Sequence, residues 1–465
     1  MKIWLIPTLC FLLVSVLCMS GFKTATPLLN ETPQNTIYST EKPYLLPKNV
    51  LEAPEEAWDY LKRYDKCLTR AEFTRLLHDF FDPCGQLANY MTITDTEARF
   101  FVNKQKLDPP CHILQFAQKQ DPRPSFSRSY RKPEEFRALS KTKPLEGLRV
   151  AIDPADIGGT WGPIEERSVL YRNYGRLQEG DLNLINAKLI RDKLVELGAE
   201  VCLSHEKPEP VMTGEPKDLM EIAKAMLNRD PNCIPVAYKQ KSRHLTPPKR
   251  LQVACEILFT KTFETRARVQ KIHETFQPDI TIVLQYNATQ GSGRGRLAKL
   301  NRNVIFIPGA YMPREIDDPR QRFQLVYKLL DQTLSIEAEV AHNISQSFQA
   351  ITGFPPVKYG NSKSTRQILP EDPYIVARNI SVSREHVGPV VVVEPYFMNE
   401  ANTLKRLLAL DYEGSRIVAG KPQISIFREY SEAVIQGILL AYAPEAAKLP
   451  RTCPEMAQEP EKKKK

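Results

Sequence analysis

The stretch from Leu148 to His205 constrains this chain most. Leu148 to Ile152 is an apolar run of strand character, followed by the turn Asp153-Pro154-Ala155-Asp156-Ile157-Gly158-Gly159. After a loop, Glu179-Gly180-Asp181-Leu182-Asn183-Leu184 opens a helix that Gly198 ends, and Glu200 to Leu203 is a second strand. Strands that alternate with helices must bury both faces of a sheet under helices, which is the rule of α/β domains. The pattern extends through residues 145–445. It predicts further strands at Asp279–Leu284, Asn303–Ile307 and Val390–Val393. Helices are predicted at Leu182–Leu197, Pro216–Asn228, Phe263–Thr275, Gln321–Ser347 and Ser431–Tyr442.

The flanks read differently. Lys2 and the apolar run Ile3–Met19, ending in Ser20-Gly21, have the layout of a secretory signal peptide over residues 1–20, so export is expected. An uncleaved N-terminal anchor is the alternative, and a lipoprotein at Cys18 a lesser one. Residues 21–56 are a Pro-, Thr- and Asn-rich linker. A small α+β domain follows over 57–120, with helical spacing from Trp58 to Phe80 and Thr69/Glu72 as a capping box. Residues 121–144 have linker composition, and 446–465 form a basic tail. The net charge of +9, partly from Lys462–Lys465, suits an anionic partner such as a cell wall or equally simple solubility. No nucleic-acid motif is present. Beyond the signal the cysteines are scattered with no C-x-x-C pair, which argues against a zinc knuckle. Cys67, Cys84 and Cys111 lie close enough in sequence for a bridge within the small domain, and Cys202 reads as a buried apolar residue.

Ligands of an α/β sheet bind at the carboxyl ends of its strands. Asp156 follows the first strand, Glu179 stands at a helix start, Gln285 ends the third strand in Leu284-Gln285-Tyr286-Asn287-Ala288, and Glu394 ends the last in Glu394-Pro395-Tyr396-Phe397-Met398-Asn399. These fragments resemble, in order, the metal-binding core of the zinc-dependent N-acetylmuramoyl-L-alanine amidases (type 3), which cut the glycan–peptide link of bacterial peptidoglycan. The family writes D-P-G-H, often with I-G-G after it, then a Glu, an S-I-H-A-N-type segment and E-x-x-F-x-x-N. The resemblance implies an amidase-like α/β sheet flanked by helices, zinc as cofactor and peptidoglycan as partner. It places the metal at Asp156, Glu179 and Gln285, with Glu394 as general base. It covers neither the small domain nor the tail.

Both of the family's histidine ligands are replaced here, by Asp156 and Gln285. Catalytic zinc takes three protein ligands and prefers imidazole nitrogen, whereas an all-oxygen set suits Mg, Ca or Mn. The sequence therefore leaves open an active hydrolase with a rebuilt metal site, with zinc, another divalent metal or none. It equally leaves an amidase-fold protein that binds peptidoglycan or an envelope partner without hydrolysis, and an unrelated exported α/β protein. His205 closes the second strand and is a candidate substitute ligand or a turn residue; His273, His342 and His386 read as structural. Glu165-Glu166-Arg167 reads as an ion pair or a substrate contact. Asn287, Arg294 and Arg296 are candidate substrate contacts, the two arginines in a flexible loop that suits a phosphate or carboxylate. The insertion from Asn303 to about Ser381 is expected to cover the groove, as such insertions do in this family.

Overall fold

The computed structural model describes residues 55–118, 128–229, 245–289, 295–360 and 362–448. The signal peptide, most of the first linker, Arg294 and most of the tail lie outside the described residues. Strands β1 (Met91–Ile93), β2 (Glu97–Phe100) and β3 (His112–Gln115) form a small antiparallel sheet. The main sheet uses β4 (Arg149–Pro154), β7 (Glu200–Leu203), β8 (Ile280–Leu284), β9 (Val304–Ile307), β10 (Arg366–Leu369), β11 (Asp372–Ala377) and β12 (Val390–Glu394). Two hairpins, β5 (Ser168–Tyr171) with β6 (Gly175–Gln178) and β13 (Ser415–Val418) with β14 (Lys421–Ile424), stand apart from it.

The main sheet has the order β10-β11-β9-β12-β8-β4-β7. Its β12, β8, β4 and β7 run parallel, β9 pairs antiparallel to β12, and β10 closes the edge antiparallel to β11. Alternation along the strands sorts the faces. Val150, Ile152, Ile282, Leu284, Val391 and Val393 enter one core with Ile344, Phe348, Phe427, Tyr430 and Val434 from the helices Leu334–Thr352 and Ile426–Tyr442. Val283, Val390 and Val392 enter the opposite core with Phe306 and Val382. Strands buried on both faces are continuously apolar, which is why β8, β9 and β12 read so clearly in sequence. The α/β class expected from the sequence is the observed one. No helix of the described residues is long and apolar enough to cross a membrane.

Several local expectations are corrected. The helix expected over Gln321–Ser347 is two helices, Pro319–Asp331 and Leu334–Thr352, because Gln332 takes a left-handed conformation with φ 56°. Residues 303–381, expected as a cover over the groove, are also part of the main sheet. They supply β9, β10 and β11 to the sheet, and their helix Pro319–Asp331 packs Phe323, Leu325, Val326 and Leu330 against Trp58, Tyr64, Phe73 and Phe100. The small α+β region thus shares its core with this helix rather than closing one of its own. Residues 128–144 of the expected linker are tied down. Tyr130 and Phe136 are buried in the main core, and Arg131 pairs with the buried Asp279 at 2.5 Å. The bridge among Cys67, Cys84 and Cys111 does not form, and each is a free thiol. The Cys67 and Cys111 sulfurs lie against backbone carbonyls instead, at Arg63 and Phe100.

Candidate active site

Register brings the strand ends together. Val393 of β12 pairs with Leu284 of β8, and Pro154 of β4 pairs with the same Leu284. The ladder continues past the strand ends through Gln285 N–H to the Val393 carbonyl (3.0 Å) and Ala155 N–H to the Leu284 carbonyl (3.1 Å). Glu394 and Gln285 are therefore the next pair out, with Asp156 one residue further along β4. Glu179 is the first residue of the helix Glu179–Glu196, where the helix dipole favours an acid. Its Oε1 accepts the Tyr286 N–H at 3.1 Å, which pins the helix start to the end of β8.

The turn that carries Asp156 is built for close approach. Asp156 itself has φ 67°, a left-handed conformation that Asp tolerates better than most residues. A Cβ on Gly158 would strike the Asp181 carboxylate, and one on Gly180 would strike the Gly158 backbone nitrogen. The two glycines let the turn lie on the helix start, where Gly159 N–H donates to Asp181 Oδ1 at 2.8 Å. Glu165, fully buried, clasps the same turn by accepting from the Ile157 and Gly158 N–H groups at 2.9 and 3.0 Å.

A cavity of about 290 Å³ opens at this edge, walled by Arg167, Tyr171, Glu179, Gln285, Asn287 and Glu394 among others. Asp156 is not a wall residue; Arg167 connects it to the cavity. The Arg167 guanidinium lies 3.4 Å from Asp156 Oδ1 and 3.6 Å from Glu179 Oε2. Lys261, from the irregular helical turn Leu258–Phe263, donates to Asp156 Oδ1 at 2.6 Å and lies 3.7 Å from Glu165 Oε2. Burial alone would push the Asp156 carboxyl up, but the Lys261 and Arg167 charges outweigh it and hold it at about 2. The other acids go the opposite way. Burial raises Glu179 to about 8, with Asp156 and Glu394 adding repulsion against Arg167. Burial and the Asp156 charge raise Glu165 to about 7. Burial raises Glu394 to about 7 against the pull of Arg378 and Arg167.

These residues do not fit zinc. Asp156 Oδ1 is held by an ammonium and Glu179 Oε1 by a backbone N–H, while Asp156 Oδ2 and Glu179 Oε2 accept no hydrogen bond, the latter facing the Arg167 guanidinium at 3.6 Å, and Gln285 offers only a neutral amide oxygen. No cavity wall residue is a histidine. Among the described residues no group of three His, Cys, Asp or Glu side chains is placed to hold a metal ion.

His205 does not reach the cavity wall. It is buried, with Nδ1 3.0 Å from Ser204 Oγ, and burial lowers it to about 4. Ser204 in turn donates to Asp153 Oδ1 at 2.7 Å. The hydroxyl sits between acid and imidazole, so the trio lacks the relay order of a nucleophilic triad, in which the imidazole is central. Asn287 lines the cavity near the Tyr359 hydroxyl, which burial pushes up to about 12 while Arg378 and Asn287 pull it down. Arg296 is exposed, and its backbone carbonyl accepts from the Asn399 side chain at 3.0 Å. Glu165 and Arg167 belong to an ion cluster, one of the two readings that the sequence offered for Glu165-Glu166-Arg167. Lys261, Arg378 and Tyr359 were not singled out from sequence. Lys261 and Arg378 stand in segments with no motif, and only the fold brings them to the strand ends.

No family model matches the chain, and no curated protein matches it. Among solved structures, the chain is similar to the CwlD amidase from Clostridioides difficile, solved in complex with the GerS lipoprotein. Identity is 12%, over 63% of this chain and 98% of that one, with a TM-score of 0.33. It is also similar to the N-acetylmuramyl-L-alanine amidase Ami1 from Mycobacterium abscessus, at 15% identity over 64% of this chain and 99% of that one, with a TM-score of 0.32. Ami1 from Mycobacterium smegmatis gives 12%, 64%, 99% and 0.34. Likenesses at this level bear on neither activity nor ligand.

Proposed function

We propose that this chain is an exported, amidase-related protein that holds peptide-bearing peptidoglycan at the β4–β8–β12 edge without cutting it by zinc chemistry. The observation that carries this reading is the convergence on one cavity of Glu179, Gln285, Asn287 and Glu394, the positions matched to the amidase motifs although far apart in sequence. The polar walls and the volume of about 290 Å³ suit a peptide stem or a single sugar ring rather than a polymer. Lys2 and the run Ile3–Met19 support delivery to the envelope, where such a ligand is found.

A second reading keeps hydrolysis, with Glu394 as general base. It is favoured by one observation: Glu394 reaches the cavity with its carboxyl held at about 7, the range in which a base works near neutral pH. Muropeptide release and peptidoglycan co-sedimentation, measured on wild type and Glu394→Gln, separate the two. The proposed function expects no release from either protein and sedimentation of both. Release by wild type that drops by at least about 100-fold in Glu394→Gln would establish the hydrolytic reading. Failure of wild type to sediment with peptidoglycan would overturn the proposed ligand.

A further inference from the structure

Three buried or near-buried carboxylates surround the turn that the amidase resemblance assigns to a metal, yet two of the chain's own cations stand among them. Lys261 Nζ is 2.6 Å from Asp156 and 3.7 Å from Glu165, and Arg167 spans Asp156 and Glu179 at 3.4 and 3.6 Å. Asp156 is 7% exposed, Glu165 1% and Glu179 3%, so none of the three can rely on water for its neutralisation. Clustered like charges of this kind require a counter-charge, whether from a metal or from the protein itself. We infer that Lys261 and Arg167 take the place of a divalent ion, so that this chain carries its own cation and the carboxylate cluster closes without metal.

The inference rests on ion-pair geometry alone and stands whether or not peptidoglycan is the ligand. An ammonium at 2.6 Å from a carboxylate oxygen leaves no room for a metal at about 2.0–2.5 Å from that same oxygen along the same approach. Restoring histidine ligands is then not enough. Asp156→His with Gln285→His still leaves Lys261 beside Glu165 and Arg167 beside Glu179, and zinc would have to displace both.

The test is thermal unfolding and calorimetric titration of the full mature chain. Wild type is expected to show no saturable heat with zinc, manganese or calcium, and no change in Tm on chelation. Lys261→Met should lower Tm by roughly 3–6 °C, because it leaves the buried Asp156 with only the more distant Arg167 as counter-charge. Millimolar manganese or calcium should restore part of that loss, while wild type stays indifferent. Lys261→Arg keeps the charge and should remain metal-indifferent. If Lys261→Met does not fold, Asp156→Asn/Lys261→Met, which removes both charges, should fold and unfold within a few degrees of wild type. Stoichiometric zinc in the purified wild type, or a Tm that falls on chelation, would overturn the inference. So would Asp156→Asn/Lys261→Met being as unstable as the two single variants added together.

Discussion

Two polar clusters lie on the same strand end, three residues apart, and are built in opposite ways. At Asp156 the acids outnumber the cations, no imidazole is present, and the group borders a cavity. At Asp153 the cluster is wholly interior: His386 Nε2 is 3.2 Å from Asp153 Oδ2, Arg268 Nε is 3.2 Å from Oδ1, and His273 lies 3.5 Å behind His386. Asp153 pairs in register with Val283 and faces Arg268 and His386, while the left-handed Asp156 turns its carboxylate toward Lys261. The difference teaches that histidine content alone says little about a metal site. This chain does place imidazoles around an acid on β4, but in the dry interior, where they hold the sheet to the helix Glu264–Thr275.

The comparison breaks most readily at Asp153. Asp153→Asn should destabilise by about 3–5 kcal/mol, because Arg268 would remain buried without its charge partner. A loss under about 1 kcal/mol in urea unfolding would show that the interior cluster is not a charge-paired one. Its pH dependence follows from its histidines. Burial holds His273 well below its usual value and lowers His386, with Asp153 partly opposing in the latter case. The unfolded chain therefore binds more protons below about pH 6.5, so stability is full above that pH and falls as the pH drops through it. Acid unfolding in a pH series is the measurement.

The turn joining the two clusters should come next. Gly180→Ala drives a Cβ into the Gly158 backbone nitrogen, and no flexible side chain can yield there. A cost of roughly 2–4 kcal/mol is expected in denaturant unfolding, against a gain of about 0.4–1 kcal/mol for an ordinary helical Gly→Ala change. A neutral or stabilising result would mean that the turn does not rest on the helix start.

The last effect concerns sign. Burial raises Glu179 and Glu394 in the folded protein to about 8 and about 7, above their unfolded values near 4.5. The folded state then holds the extra protons, and this edge loses stability as pH rises from about 4.5 to 8, opposite to the interior cluster. Glu179→Gln should flatten much of that loss between pH 5 and 8. Thermal unfolding of both proteins across that range checks it, and parallel curves would refute it.

Much of this was legible in the sequence because apolar strands leave plain marks. The runs ending at Ile152, Leu284 and Val393 fixed which residues stand at the strand ends, and register then placed Gln285 beside Glu394. What could not be read was any partner set by packing between distant segments. Lys261 sits in a helical stretch where a lysine ordinarily reads as solvent-facing, and it reaches Asp156 across 105 positions only because the helix Glu264–Thr275 and the irregular turn before it cover the sheet. β10 and β11 were missed since Pro370 and Glu371 interrupt a short hairpin that has little apolar alternation. Gln332 gave no breaker signal, so two helices read as one.

The core shared by the small α+β region and the helix Pro319–Asp331 has a consequence for the order of events during synthesis. Tyr64 donates its hydroxyl to Asp331, 267 positions later, and Trp58 stacks edge-on against Phe323. A ribosome releases the chain from its N-terminus, so Trp58, Tyr64 and Phe73 emerge long before the surface that buries them. Contacts of such sequence separation form slowly. The small α+β region, made well before the helix Pro319–Asp331, is thus among the last parts of the described fold to finish folding.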